Sequence, residues 1–150
     1  MELNDKVSLV TGSGQGIGEG IAKTLARHGS RVLLVDLNGD SAARVASEIN
    51  SINPNAASSF EADLTDSNAI DSMLEYCKGH FDRLDCICNN AAASKGLGPV
   101  ENYSLEEVEA TLDLTFTSLW KCLQSEINFL KAQSTPATIV NISSNSAIRG

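Results

Sequence analysis

Apolar positions along the chain follow two alternating patterns. Short runs occur at Lys6–Val10, Arg31–Val35, Leu84–Cys88 and Thr138–Ile142, with a weaker one at Ala57–Ala62. Runs that are short and not strictly alternating suit strands buried on both faces of a parallel sheet. Between them the spacing becomes helical. Ile17, Ile21 and Leu25 recur every four residues up to Gly29, a good residue to end a helix. Ala42, Val45, Ala46 and Ile49 mark a helix over Ser41–Ile49, and Ala69, Ile70, Met73 and Leu74 mark another over Thr65–Tyr76. The longest helix opens at Ser104, where Ser104-Leu105-Glu106-Glu107 reads as a capping box, and it continues through Val108, Leu112, Leu119, Leu123, Ile127 and Leu130. The order β-α-β-α-β-α-β-α-β predicts an α/β fold, a doubly wound parallel sheet of five strands with helices on both faces. Repeats, low-complexity stretches and linkers are absent, so residues 1–150 read as a single domain. Ser94–Pro99 is the best candidate for a mobile loop.

Composition narrows the function classes. Net charge is −8 and the isoelectric point is near 4.6, so there is no basic stripe for phosphates and nucleic acid is not expected as a partner. Apolar runs fall short of a membrane span, and Met1–Lys6 lacks the basic and apolar regions of a signal peptide. The four cysteines, Cys77, Cys86, Cys88 and Cys122, contain no C-x-x-C, and two histidines offer little help to a metal. Buried free thiols, no metal site and a cytoplasmic location are the expectations.

The first strand-to-helix turn carries the clearest chemistry. Val10-Thr11-Gly12-Ser13-Gly14-Gln15-Gly16-Ile17-Gly18 has a strand before it and a helix after it. Glycine suits such a turn because the backbone must adopt positive φ and approach a pyrophosphate, while the new helix packs tightly on the strand. The helix N-terminus then offers unpaired N–H groups to the anion. The spacing is T-G-x-x-x-G-x-G, since Ile17 and Glu19 break G-x-G-x-x-G, and no Gly-Lys-Ser/Thr of a P-loop follows.

With that spacing the chain resembles the short-chain dehydrogenase/reductase family. The resemblance implies a Rossmann-like sheet of strand order 3-2-1-4-5 and a nicotinamide cofactor held by Gly12, Ser13, Gln15, Gly16, Ile17 and Gly18. Asp36 ends the second strand, 18 residues past Gly18, and is placed to accept hydrogen bonds from an adenosine ribose. Its charge would repel a 2′-phosphate, and positions 37 and 15 hold no Arg or Lys to attract one, which favours NAD over NADP. As an alternative, Asp36 caps the following helix, although Asn38 and Asp40 could also serve. Leu37 follows Asp36 in the expected cofactor set. Asp63 and Leu64 match the family's adenine contact, with helix capping by Asp63 or Thr65 as the alternative. Asn89-Asn90-Ala91-Ala92 resembles the family's Asn-Asn-Ala-Gly, so Asn90, Ala91 and Ala92 are expected to line the cofactor. If the backbone at Ala92 requires positive φ, the missing glycine costs about 1 kcal/mol.

The fifth strand matches the one that precedes the family's active-site serine. By that alignment Ser144 is the catalytic hydroxyl, and Ile142 and Ser143 lie near the nicotinamide. The place of the family's relay Asn falls on Thr115. The family's Tyr-x-x-x-Lys is expected beyond Gly150. Tyr76 and Tyr103 have no Lys four residues later, so the chain reads as cut through an active site and inactive alone. The expected activity of the complete protein is hydride transfer between NAD and an alcohol/ketone pair, in a homo-oligomer. A non-catalytic NAD-binding module is the alternative, and an extended relative acting on nucleotide sugars is a third reading. The sequence names no particular substrate.

Overall fold

The computed structural model describes residues 2–92 and 99–145. Five parallel strands, β1 (Val7–Thr11), β2 (Arg31–Asp36), β3 (Ala57–Glu61), β4 (Cys86–Asn89) and β5 (Thr138–Asn141), form one sheet in the order β3-β2-β1-β4-β5. The helices are α1 (Gly16–Arg27), α2 (Gly39–Ile52), α3 (Ser67–Phe81), α4 (Leu105–Leu112) and α5 (Ser118–Ala132). This is the Rossmann-like, doubly wound architecture and strand order expected from the sequence. The order reverses between β1 and β4, which opens a crevice at the carboxyl ends of the central strands.

Alternation along the strands divides the core into two layers. Val7, Leu9, Leu33, Val35 and Ile87 meet Ile70, Met73, Leu74, Cys77 and Phe81 of α3 and Cys122 of α5. Val10, Val32, Leu34 and Cys88 face the opposite way, onto Ala22 and Ala26 of α1 and Ala42, Val45, Ala46 and Ile49 of α2. All four cysteines are free, three of them buried and Cys86 partly so. Burial pushes the Cys77 and Cys122 thiols up to about 12, which keeps them as unreactive thiols.

Several boundaries and faces differ from the sequence expectation. In α1 the buried stripe is Gly18, Ala22 and Ala26, while Ile17 is 69% exposed. Small residues let the helix sit close on β1, and Ile17 is left for the crevice. The turn after α1 is a Schellman motif: Gly29 N–H donates to Ala26 O, Ser30 N–H donates to Leu25 O, and Gly29 has φ +94°. Helix α2 is longer than expected and is capped by Asn38, whose side chain accepts from Ser41 N–H. Helix α3 starts later, at Ser67, capped by Asp66 rather than Asp63 or Thr65.

The helix expected from Ser104 onward does start there, with both hydrogen bonds of the capping box. It is interrupted by a π-helical segment, Asp113–Thr117. The physical cause is local. Thr111, Thr115 and Ser118 each donate a side-chain hydroxyl to the carbonyl four residues earlier. Such bonds compete with the backbone N–H ladder and loosen the helix there.

Candidate functional site

The crevice at the switch point is a cleft of about 890 Å3, a volume that suits a small-molecule or cofactor site. The tips of β2, β4 and β5 contribute to its wall or floor, together with the residues just after β1 and β3 and the π segment.

One wall is the glycine turn. Gly12 and Gly16 have φ of +62° and +59°, a conformation that side-chained residues rarely adopt. At Gly18 an added Cβ would lie 2.1 Å from Gly12 O, so only glycine lets α1 approach the turn this closely. The turn is clipped to β4 by Asn90, whose Nδ2 donates to Thr11 O and Gly12 O, both at 3.0 Å. Thr11 Oγ1 accepts in return from the backbone N–H of Asn90 and Ala91. Helix α1 begins at the cleft with Gln15 as N-cap and no side-chain cap, whereas α2, α3 and α4 are all capped by a side chain. Its first-turn N–H groups therefore remain available to an anion.

Asp36 stands at the tip of β2. Its carboxylate accepts from Gly14 N–H at 2.7 Å and from Asn38 N–H at 3.0 Å. Asn38 is the helix cap, so Asp36 serves the glycine turn instead, and a carboxylate still has lone pairs for further donors. Arg44, which sequence reasoning missed, donates to Gly14 O at 3.0 Å from the neighbouring helix. Its charge is taken up by Glu19 and Glu48, which also hold Lys23.

Most of the residues expected to bind or react are brought together here. Gly12, Gln15, Ile17, Asp36, Leu37, Asp63, Leu64, Asn90, Ala91, Ala92, Thr115, Ile142, Ser143 and Ser144 all line the cleft. Gly16 and Gly18 shape it from the turn and the start of α1. Ser13 does not face it: the side chain is buried and Oγ donates to Val35 O at 3.2 Å. Ser13 thus ties the turn to β2, with its backbone N–H and its Oγ both donating to Val35 O. Asp63 accepts from Thr65 N–H and Oγ1, and these bonds hold its carboxyl below the usual range. Ala92 does not have positive φ, so the alanine costs no backbone strain. Of the loop Ser94–Pro99, Ser94–Gly98 lie outside the described residues.

On the floor, Asn89 and Asn141 end the two strands nearest the Ser143–Ser144 tip. Asn89 Nδ2 donates to Asn141 Oδ1 and to Glu126 Oε2 of α5, each at 3.0 Å. Glu126 is fully buried, and burial pushes its carboxyl up to about 7 although the Asn89 bond pulls it back. Asn89 opens the Asn-Asn-Ala-Ala motif singled out in the sequence, whereas Glu126 and Asn141 were not expected as part of a site. A lone glutamate on the apolar face of a helix was the available signal.

The family's short chain dehydrogenase model matches residues 6–150. The chain belongs to the short-chain dehydrogenase family. Among its relatives, galactitol 2-dehydrogenase from Agrobacterium fabrum is 30% identical over 150 residues, which are 100% of this chain and 57% of the relative. D-threitol dehydrogenase from Mycolicibacterium smegmatis is 30% identical over 97% of this chain and 55% of its own. The chain thus spans little more than half the length of these relatives. Among solved structures, a 3-ketoacyl-(acyl-carrier-protein) reductase from Brucella melitensis complexed with NADH superimposes with TM-score 0.91 at 30% identity, over 99% of this chain and 60% of that one. NAD+-bound xylitol dehydrogenase gives TM-score 0.93 at 26% identity, over 100% and 57%.

Proposed function

We infer that the cleft is the cofactor site of an NAD-dependent oxidoreductase that moves hydride between NAD and an alcohol/ketone pair. One observation carries this reading: the uncapped start of α1, the Asp36 carboxylate and Ser144 line a single cleft. The glycine turn and the first-turn N–H groups of α1 fit a pyrophosphate, and Asp36 fits a ribose diol at the far end of the same dinucleotide. Asp36 repels a 2′-phosphate, and Arg44 is already neutralised by Glu19 and Glu48, which supports NAD over NADP. Ser13 contributes backbone here rather than its side chain.

When bound, the nicotinamide supplies or accepts the hydride. The protein's own part is to orient and to stabilise. Ser144 donates its hydroxyl to the substrate oxygen and stabilises charge that develops there. Ile142 and Ser143 border the nicotinamide. Asp63, Leu64 and Leu37 border the adenine, and Asn90, Ala91 and Ala92 the middle of the cofactor. Thr115 shares the cleft, but its proton is committed to Thr111 O at 2.6 Å, so it acts as an acceptor. The general acid/base is a Tyr-x-x-x-Lys pair, which residues 1–150 do not contain, so these residues alone should not turn over substrate.

A homo-oligomer is supported by Leu105, Val108, Leu112, Phe116 and Trp120, an exposed apolar stripe at helical spacing along α4 and α5. The cytoplasm suits a chain whose cysteines are all free thiols. In the described residues no helix is long and apolar enough to cross a membrane.

Calorimetric titration with NADH and NADPH tests the reading. We expect NADH to bind more tightly. Asp36→Ala should weaken NADH by about tenfold, roughly 1.4 kcal/mol, and narrow the gap to NADPH. An unchanged preference would remove Asp36 from its role.

A further inference from the structure

Glu126 is the one fully buried carboxyl among the described residues, and it has no cation beside it. Asn89 Nδ2 donates to its Oε2 at 3.0 Å. The other oxygen of each group, Glu126 Oε1 and Asn89 Oδ1, is buried without a hydrogen-bond partner. Two unpartnered acceptors, one on each group of a single amide–carboxyl contact, are what an ionised glutamate leaves. A buried carboxylate with an orphan oxygen is costly, and so is an orphan amide oxygen. A single proton removes both costs: on Oε1 it makes a donor, Asn89 Oδ1 is an unpartnered acceptor on the amide already bonded to Oε2, and that second bond would close the two groups into a cyclic acid–amide pair.

We propose that Glu126 is held as a neutral carboxylic acid paired with Asn89, and that it is a positioning residue for the cleft floor. Asn89 hands the constraint on to Asn141, also at 3.0 Å, and Asn141 leads directly into the Ile142–Ser144 tip. The positioning role rests on the reading of the cleft as a cofactor site; the protonation does not. The surroundings agree. On its own helix the nearest titratable group is Cys122, itself kept as a thiol. On α3 the charged groups toward α5 are Asp71 and Glu75, which add negative charge. Lys121 of α5 is turned away to Thr65 O, and β4 and β5 present only the two asparagines. The direction in which burial moves the carboxyl is also the one the pair requires.

Glu126→Gln is the natural test, because a glutamine amide reproduces the donor and acceptor of the protonated acid. Urea unfolding of the full chain, without cofactor, should give matching stability for wild type and E126Q near pH 5. By pH 8 the folding constant of wild type should fall, relative to E126Q, by on the order of a hundredfold. Parallel profiles, or an E126Q that is weaker at pH 8, would overturn the protonated pair. Infrared spectra at pH 6 should show a buried protonated carboxyl band that E126Q lacks, and its absence counts against the pair equally. Glu126→Ala should be less stable than E126Q at both pH values, since Asn89 then loses its partner; equal stability would also overturn it. NADH affinity should weaken with rising pH in wild type and stay flat in E126Q, and identical slopes would sink the positioning role. Failure of NADH to bind either protein would remove that role together with the cofactor reading, while the cofactor-free profiles would stand on their own.

Discussion

Two buried carboxyl groups stand at opposite ends of β4, and they are held in opposite ways. Asp85, just before the strand, accepts from Val7 N–H at 2.9 Å and pairs with both Lys6 and Arg83. Burial alone would raise its carboxyl, but the Arg83 and Val7 bonds win and hold it below the usual range. Glu126, beyond the other end, meets an amide and no cation, so burial wins. The lower end of the sheet is closed and electrostatically complete. The upper end keeps open donors, orphan acceptors and an interrupted helix, which is the condition of a surface that must bind something. A fold of this kind stores its stability at one end of the strands and its chemistry at the other.

Three experiments would break or sharpen that division. The largest effect is expected from Asp85→Ala, which leaves a buried Val7 N–H unpaired and two cations without their partner. It should cost about 3 kcal/mol in chemical unfolding and leave NADH affinity within about twofold. A loss of affinity as large as the loss of stability would show that the two ends are not independent.

The second is pH. Asp85 has a lowered folded value, so its contribution is present above its unfolded value near 3.8 and disappears as pH falls through the lower folded value. Glu126 has a raised folded value, so its contribution is complete below about 4.5 and disappears as pH rises through about 7. Urea midpoints across this range should therefore fall on both sides for wild type. Asp85→Ala should make the acid side alone less steep, with Asp63, Glu19 and Glu48 still contributing there, and E126Q should flatten the neutral side alone. A single variant that changed both sides would merge what the geometry separates.

The smallest effect is expected from Thr115→Val. It removes the hydroxyl bond to Thr111 O at the π segment, and should change stability by less than about 0.5 kcal/mol because such bonds add little to a helix. Turnover of the complete enzyme should fall less than about tenfold. A larger fall in kcat at constant stability would make Thr115 a catalytic residue.

Much of this molecule was legible in its residues. Strand and helix periods, the capping box at Ser104 and the helix stop at Gly29 are local signals, and each element formed close to where its signal lies. The T-G-x-x-x-G-x-G turn and the Asp36 position likewise depend on near neighbours in sequence, so that these residues stand together on one wall of the cleft could be read directly. Local signals were less reliable where several residues compete for one task. Asn38 and Asp66 took the caps that Asp36, Asp63 or Thr65 could have filled, and Ile17 gave the buried face of α1 to smaller side chains.

Tertiary structure alone decided which distant residues meet. Asn89, Glu126 and Asn141 are separated by 37 and 52 residues from Asn89 to its two partners, and nothing local in any of them announces the others. Arg44 reaches Gly14 across 30 residues for the same reason. A carboxyl's charge state depends on what surrounds it, and those surroundings exist only after β4, β5 and α5 have packed. The sequence determined by itself the strand-to-helix turn and the acidic strand tip that border the cleft; packing decided the floor beneath them and the surroundings that set the proton on Glu126.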